Sequence, residues 1–310
     1  MQLQNRLKFQ DLKDENYEPQ ASIKIRKRRQ PQPKHSQAEE AEQDEFEQEI
    51  QFTYHASHHE REWIVSALGG FIADHVIIDV LHQVRGGKEA NVYCCKANPA
   101  LGVNLLAAKI YRPRMFRNLK NDSLYKIGRP MLDQDGKPLH DQRSQRAINK
   151  KTRIGSEMQI TSWIEHEYQA LQVLHQAGAD VPKPISQDRN TILMEYIGEA
   201  QNPAPTLNNL SLSMAEARRL FDRLVENIRI MLSQNIIHAD LSAYNVLYWN
   251  GRLTMIDFPQ VVDPLFNPNG FALLERDVER ICQYFSRYQI AVDYSGLAAR
   301  LWEDFLGMEA

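Results

Sequence analysis

Hydrophobic positions change their spacing several times after residue 60, and each change marks a predicted element. Residues Glu60–Ala73 place apolar side chains at helical intervals, which predicts an amphipathic helix. Shorter runs rich in β-branched and aromatic residues follow, and these predict strands. The predicted strands are His75–Val84, Ala90–Cys95, Val103–Tyr111 and, after a helix at Gln159–Ala177, Thr191–Tyr196.

The C-terminal third is mainly helical by the same criterion. Apolar residues trace one face of Met214–Gln234, and Ser213 and Glu216 have the spacing of a capping box. Asn250-Gly251 predicts a type I′ hairpin between two short strands. Two further helices are predicted at Ala272–Tyr288 and Ser295–Leu306. Strands first and helices last indicate an α+β fold, with a small β-rich lobe at about 75–197, a helical lobe at about 198–310 and a cleft between them.

Composition narrows the class of protein. The 310 residues are 43% hydrophobic and 25% charged, with a net charge of -3, as in an ordinary soluble globular protein. Cys94, Cys95 and Cys282 form no disulfide or metal-binding pattern, which suits a reducing compartment. No segment is apolar enough to cross a bilayer. These features predict a cytoplasmic protein without a membrane partner.

Residues 1–58 differ from the rest because they contain few large apolar side chains. A basic run, Lys24–Lys34, precedes an acidic run, Glu39–Glu49. This composition predicts a disordered charged arm ahead of a folded domain at 59–310. The basic run is interpreted either as solvated charge or as a contact for RNA phosphates. A second polar stretch, 112–157, lacks steady periodicity and predicts a long functional or mobile insert.

The segment between the longest predicted helix and the hairpin carries the strongest chemical signal. It reads His-Ala-Asp-Leu-Ser-Ala-Tyr-Asn and contains Asp240 and Asn245, and Asp257 follows the hairpin within Ile-Asp-Phe. Phosphoryl transfer from ATP uses such a set: one carboxylate orients the attacking hydroxyl, while the amide and the second carboxylate hold Mg²⁺. Oxygen ligands of this kind suit Mg²⁺ better than a transition metal. Each residue alone would be an ordinary turn former, and their combined order favours the site.

Two further features are consistent with a nucleotide site. Lys109 lies in an apolar strand, where its ammonium needs a partner, and Glu167 on the apolar stripe of the next helix can supply one. Such a pair positions ATP phosphates in kinases; the alternative is a lysine that reaches solvent from a sheet edge. A glycine-containing turn between the first two strands offers backbone amides to phosphates. This turn comprises Gly86, Gly87, Lys88, Glu89, Ala90, Asn91 and Val92.

Together these motifs resemble the RIO family of atypical serine/threonine protein kinases. GGKEANVY, AAKIY, LMEYIG, HADLSAYN and IDFPQ occur in the order typical of that family, over roughly residues 75–290. The resemblance implies a bilobal protein-kinase-like fold that lacks the activation segment and the substrate-binding helices. It also implies ATP and Mg²⁺ as cofactors.

The resemblance assigns a role to each matched residue. Asp240 is expected to be the catalytic base, and Asn245 and Asp257 the magnesium ligands. Lys109, paired with Glu167, is expected to contact the ATP phosphates. In some RIO proteins the metal-binding aspartate is thought to accept phosphate, which here points to Asp257. The expected hinge around adenine comprises Met194, Glu195, Tyr196 and Ile197.

Four positions depart from the expected pattern. Pro259 replaces the glycine that follows Asp-Phe in protein kinases. Ala239 stands where an arginine would pair with a phosphorylated activation loop, so control by that route is not expected. Ala243 and Gly86 replace residues that are usually Glu and Ser or Thr in the family. These two changes are expected to slow turnover without removing a metal ligand.

Three functions are compatible with these residues. The first is a RIO-type serine/threonine protein kinase or ATPase that acts on a protein, on itself or on water. The second is a small-molecule phosphotransferase of the aminoglycoside or choline kinase type, which shares the Asp, Asn and Asp arrangement. The third is a nucleotide-gated scaffold for a ribosomal or other RNA-containing partner, contacted through the basic arm.

Overall fold

The computed structural model describes residues 51–112, 129–133, 136–139, 142–150 and 152–309. All of them belong to one unit of the chain. The strands are β1 (Ile77–Gly86), β2 (Ala90–Ala97), β3 (Leu105–Tyr111), β4 (Pro184–Asp188), β5 (Thr191–Glu195), β6 (Gly198–Glu199), β7 (Asn202–Pro203), β8 (Val246–Trp249) and β9 (Arg252–Met255). The helices are α1 (His58–Ala73), α2 (Gln142–Asn149), α3 (Arg153–Gln176), α4 (Met214–Ser233), α5 (Gly270–Ser286) and α6 (Tyr294–Glu309).

Five strands form an antiparallel sheet in the order β1-β2-β3-β5-β4. Side chains alternate between its two faces because the strand period is two. Tyr93, Leu106 and Ile110 pack with α1 in one apolar cluster. Their neighbours Cys94 and Ala107 belong to a second cluster, which continues into the helical lobe. The sheet therefore buries one face under α1 and turns the other toward the cleft.

Helix α3 follows the polar insert and packs on the cleft side of the sheet. It begins at Arg153, six residues before the predicted start, because the Thr152 side chain accepts a hydrogen bond from Gly155 N at its N-cap. Another part of the same insert forms α2, which the irregular pattern did not predict. Strand β4 was also missed, since all five of its residues are only half-buried and show no alternation.

The helical lobe matches its prediction closely. Helix α4 begins at Met214 behind the predicted capping box, in which the Ser213 side chain accepts from Glu216 N. Strands β8 and β9 pair around Asn250-Gly251, whose φ values of 48° and 79° fit a type I′ turn. Helices α5 and α6 pack against each other and against α4. The five-stranded sheet precedes the C-terminal helices in the chain, which therefore forms the predicted α+β fold with two lobes.

The folded part extends further toward the N-terminus than the predicted boundary at residue 58. Thr53 N and Oγ1 donate to the two carboxylate oxygens of Asp79 at 2.8 and 2.7 Å, and Tyr54 N donates to Val80 O at 2.8 Å. These bonds attach residues 51–57 to β1. The predicted charged runs at 24–34 and 39–49 lie outside the described residues. Within the described part, no helix has the length and apolar character needed to span a bilayer.

Candidate active site

Backbone pairing holds the segment that carries Asp240 against the segment that follows β9. Ile237 forms an antiparallel bridge with Val262, and Ile256 N donates to Asn245 O at 2.9 Å. The two chemical motifs, one ending at Asn245 and the other containing Asp257, are therefore directly bonded. Ala239 and Asp257 both have left-handed backbones, with φ values of 61° and 73°, a conformation that is found disproportionately at active sites.

Buried His238 joins the same two motifs. Its Nε2 lies 3.1 Å from Ile256 O, and its ring lies 4.7 Å from that of Phe258. Burial lowers the pKa of His238, so the ring is neutral and its Nε2 donates to the carbonyl. His238 therefore has a structural role, because it holds the two motifs together beneath the site.

Lys109 lies at the centre of the site. Its Nζ is 2.6 Å from Glu167 Oε1 on α3 and 2.6 Å from Asp257 Oδ1. Glu167 Oε1 also accepts from Phe258 N at 3.3 Å. One ammonium therefore connects the sheet, α3 and the segment after β9, which is the arrangement that the sequence predicted for Lys109 and Glu167.

The three charges shift one another's proton affinities. Burial acts to lower the pKa of Lys109, but Asp257 and Glu167 outweigh it and raise the pKa, so the lysine stays charged. For Asp257, burial raises the pKa, and the Lys109 ammonium reverses this and leaves it below its usual range. Burial raises the pKa of Glu167 despite the same ammonium. The half-exposed Asp257 is consequently the more strongly ionised of the two carboxylates.

Asp240 and Asn245 lie side by side on the loop before β8. Asn245 Nδ2 donates to Asp240 O at 3.0 Å and reaches Asp240 Oδ2 at 3.4 Å. Because its nitrogen is used in this way, the Asn245 side-chain oxygen is left for another partner. Asp257 Oδ2 likewise forms no hydrogen bond to the described residues, since only Oδ1 contacts Lys109. These two oxygens fit a hard cation such as Mg²⁺.

The glycine-containing turn between β1 and β2 closes tightly. Gly87 N donates to Ala90 O at 3.0 Å, and a Cβ at Gly87 would lie 2.8 Å from that oxygen. Val92 pairs with Lys109 across the sheet and shares its cleft-facing side. The remaining turn residues, Gly86, Lys88, Glu89 and Ala90, lie at the same end of the sheet.

Asn91 was assigned to the phosphate-binding turn through its backbone, and its side chain has partners on the other face of the sheet. Its Nδ2 donates to Tyr93 Oη at 2.9 Å, and its Oδ1 accepts from Arg112 Nη2 at 2.7 Å. Both contacts lie on the face covered by α1, because Asn91 has the same strand parity as Tyr93. The Asn91 side chain therefore points away from the cleft.

The predicted hinge begins in the last two residues of β5 and continues into the helical lobe. Met194 pairs with Ala107 on the cleft-facing side, and Glu195 N donates to Lys183 O at 2.8 Å. Ile197 O accepts from Ala204 N at 3.1 Å, and the Tyr196 hydroxyl donates to Glu199 O at 3.3 Å. The hinge thus turns at once into the β6–β7 hairpin.

Helix α5 adds three residues to the site that sequence reasoning missed. Arg276 Nη2 donates to Ala239 O, and Arg280 Nη1 donates to Asp240 Oδ1 at 2.8 Å. Asp277 is 2% exposed, and its Oδ1 lies 3.8 Å from Arg276 Nη2. Burial raises its pKa to about 7, against the lowering effect of Arg276. The sequence predicted this helix from its apolar residues. The charges at these three positions were the signal that could have pointed to the site.

This geometry defines a class of protein. A lysine on a strand paired to a glutamate on a helix, an Asp and Asn on a loop and a further Asp after a hairpin form the phosphate and metal site of a protein-kinase-like phosphotransferase. The arrangement lies in the cleft between a β-sheet lobe and a helical lobe. Both the fold and the site therefore favour ATP-dependent phosphoryl transfer.

Comparisons with known proteins identify the family. The RIO domain model matches residues 124–297, more than half of the chain. The RIO-type serine/threonine-protein kinase Rio1 of Thermoplasma acidophilum is 33% identical over 143 residues, which cover 46% of this chain and 74% of that protein. The human serine/threonine-protein kinase RIO1 is 33% identical over 134 residues, which cover 43% of this chain and 23% of that protein. The chain therefore belongs to the RIO family of serine/threonine protein kinases.

A solved structure supports the fold independently. The Rio2 kinase from Chaetomium thermophilum, described as an ADP/Mg²⁺-phosphoaspartate complex, has a TM-score of 0.51 at 21% identity, over 75% of this chain and 64% of that one. The match confirms the protein-kinase-like fold. Since the alignments span such different shares of the relatives, substrates and partners of the longer proteins transfer to this chain only as proposals.

Proposed function

We propose that this protein uses Mg-ATP to phosphorylate a serine or threonine on a protein, including itself, or to hydrolyse ATP. The observation that carries the proposal is the position of Lys109 Nζ, 2.6 Å from both Glu167 and Asp257. The hydrogen-bonded pair Asp240 and Asn245 lies on the loop that is bonded directly to the Asp257 segment. No small-molecule acceptor is needed to explain this set, and the family match favours a protein acceptor over an aminoglycoside or choline.

Each residue of the set has a distinct task. Lys109, oriented by Glu167, would bind the phosphates of ATP, and backbone amides of the Gly86–Val92 turn are proposed to cover them. Asn245 and Asp257 would hold Mg²⁺, which neutralises charge on the transferred phosphoryl group when bound. Asp240 accepts the proton of the attacking hydroxyl and orients it. The hinge backbone at Glu195–Ile197 would bind the adenine edge.

Asp257 is also proposed as a transient phosphate acceptor. The Rio2 relative is described with a phosphoaspartate, and Asp257 presents an ionised, half-exposed carboxylate. In such a step a carboxylate oxygen of Asp257 bonds to the γ-phosphorus while the bond to the bridging β–γ oxygen breaks, and ADP leaves. Water then hydrolyses the acyl phosphate to restore the carboxylate and release phosphate.

Sensitivity to hydroxylamine distinguishes phosphate bound to the Asp257 carboxylate from phosphate bound to a serine or threonine hydroxyl. Protein incubated with γ-labelled Mg-ATP is quenched and divided into portions with and without hydroxylamine, which cleaves acyl phosphates and spares phosphoserine. Label that hydroxylamine removes and that is absent from Asp257→Asn supports the aspartyl intermediate. Label that resists hydroxylamine and remains in Asp257→Asn would show a hydroxyl acceptor and exclude Asp257.

Partner and compartment are proposed from sequence alone. The basic run Lys24–Lys34 supports an RNA-containing partner in the cytoplasm, for which the kinase domain would act as a nucleotide-gated scaffold. The expected result is RNA binding that weakens steeply with salt and is lost when residues 1–50 are deleted. RNA binding that survives the deletion would exclude the basic run as its contact.

A further inference from the structure

Helix α5 supplies the positive charge that the loop around Asp240 lacks. Residues 238–245 contain no lysine or arginine, and burial keeps His238 neutral. Arg276 and Arg280 are four residues apart, so both project from one face of α5 onto the loop. Arg276 bonds the backbone of Ala239, and Arg280 bonds the carboxylate of Asp240. Contact at two successive loop residues fixes the loop to the helix.

The Arg280–Asp240 pair has the geometry of a specific contact rather than a stabilising core interaction. Nη1 and Oδ1 are 2.8 Å apart, whereas the two side chains are 38% and 42% exposed. Half-exposed ion pairs contribute little to folding stability because water screens them. A role in stability therefore does not account for the pair.

The pair does determine how the Asp240 carboxylate is oriented. Its Oδ2 lies at a long 3.4 Å from Asn245 Nδ2, so the bond from Arg280 to Oδ1 is the short one on this side chain within the described residues. Donors on both oxygens fix the plane of the carboxylate. Without Arg280, the long contact to Asn245 alone would leave the group free to rotate about its last bond.

We propose that Arg280 is a positioning residue for Asp240, which it holds in the orientation that meets the attacking hydroxyl or water. This inference rests on the proposed phosphotransferase function. Arg280 itself need not touch ATP, since its partner is the base rather than the phosphates. Substitution of Arg280 is therefore expected to lower kcat and to leave the KM and Kd for Mg-ATP nearly unchanged.

The test compares Arg280→Gln and Arg280→Lys with wild type in full-length protein. The readout is total γ-phosphate lost from Mg-ATP to protein and water, with the Kd for Mg-ATP measured in parallel. Arg280→Gln is expected to lower kcat about 10- to 100-fold, the size of a misplaced catalytic group, while KM and Kd for ATP stay within about twofold. Arg280→Lys, which keeps the charge, is expected to recover part of the loss.

Arg229→Gln is the matched control, because Arg229 is 42% exposed and pairs with Asp304 at 3.7 Å, between α4 and α6. Its kcat and its melting temperature are expected to equal those of wild type. A melting temperature of Arg280→Gln that falls well below this control would overturn a purely positioning role.

A double-mutant cycle with Asp240→Asn decides whether Arg280 acts through Asp240. If it does, Arg280→Gln causes no further loss in the Asp240→Asn background. An equal fractional loss in both backgrounds, or an Arg280→Gln enzyme within about twofold of wild type, would overturn the inference alone. Wild-type protein without any turnover would overturn the proposed function and the inference with it.

Discussion

At the scale of single residues, the site depends on one cation shared by two unequal carboxylates. Glu167 is 1% exposed, whereas the Asp257 side chain is 45% exposed. A buried charge needs its partner far more than an exposed one does. Glu167 is therefore the buried anchor that fixes the position of Lys109. Asp257 keeps its Oδ2 available for a metal ion.

Removing Glu167 is expected to destabilise the fold and misplace Lys109. Glu167→Ala should lower the free energy of unfolding by about 3 kcal/mol, at the lower end for a broken buried pair because Asp257 still contacts the lysine. Urea unfolding measures this change. Glu157→Ala is the control on the same helix, where an exposed ion pair with Arg153 is expected to contribute less than about 0.5 kcal/mol. Equal effects of the two substitutions would contradict the assignment of Glu167 as a buried anchor.

At the scale of elements, α5 places a buried carboxyl group behind the loop that carries Asp240. Asp277 has a folded-state pKa of about 7, well above the ordinary value of 3.8, mainly through burial. Since the folded pKa is raised, the contribution of this group to stability is complete below about pH 4 and is lost as pH rises through 7. The loop and helix are thus expected to be held most firmly in mild acid.

Asp277→Asn tests that pH dependence, because an amide cannot ionise. Between pH 5 and pH 8 the wild type is expected to lose about 2–3 kcal/mol of unfolding free energy through this group. The loss should be absent from the variant, so the stability of Asp277→Asn relative to wild type rises with pH. Parallel stability curves for the two proteins across this range would exclude a raised pKa at Asp277.

The β8–β9 hairpin offers a second test at this scale. Gly251 has φ 79°, and an added Cβ would meet nothing closer than 3.6 Å, so substitution costs conformation rather than space. Gly251→Ala is expected to destabilise the protein by about 1 kcal/mol in urea unfolding, since non-glycine residues disfavour this region. Asn250→Gly is the control, because glycine tolerates the φ of 48° at that position. A neutral Gly251→Ala would mean that the hairpin changes its turn type.

At the scale of the whole molecule, the features that the sequence predicted are those that depend on residues close together in the chain or on the chemistry of single side chains. Helix α4 begins where predicted because Ser213, Glu216 and an apolar stripe lie within its own segment. Lys109 and Glu167 were singled out because a charge in an apolar run requires a partner, and Asp257 because of its Ile-Asp-Phe motif. The structure brings the three together. These signals needed no knowledge of the final packing.

Features that arise from packing between distant segments escaped the sequence. Strand β4 forms because β5 provides an edge for pairing, although its own side chains show no alternation. Arg280 reaches Asp240 across 40 residues, and only the docking of α5 brings them together. The side-chain contact of Asn91 with Tyr93 was likewise not predicted, because the parity of β2 relative to α1 cannot be read from the turn motif.

The cleft position of the site predicts that nucleotide binding stabilises the whole domain. A ligand at 100 times its Kd adds about 2.7 kcal/mol to the unfolding free energy when it binds only the folded state. Mg-ATP should therefore raise the melting temperature of wild type in a thermal shift assay. The rise should be much smaller for ATP with a chelator and for Asp257→Ala. An unchanged rise in Asp257→Ala would contradict its assignment as a metal ligand.

The central claim is that Asp240 and its neighbours transfer the γ-phosphate of ATP, and one assay tests it most directly. Wild type and Asp240→Ala are incubated with γ-labelled ATP and magnesium, and both protein-bound label and free phosphate are counted. We predict label or phosphate release in wild type and a loss of at least about 100-fold in Asp240→Ala, as expected for removal of a general base. Equal turnover in the two proteins, or none in wild type despite ATP binding, would contradict the claim.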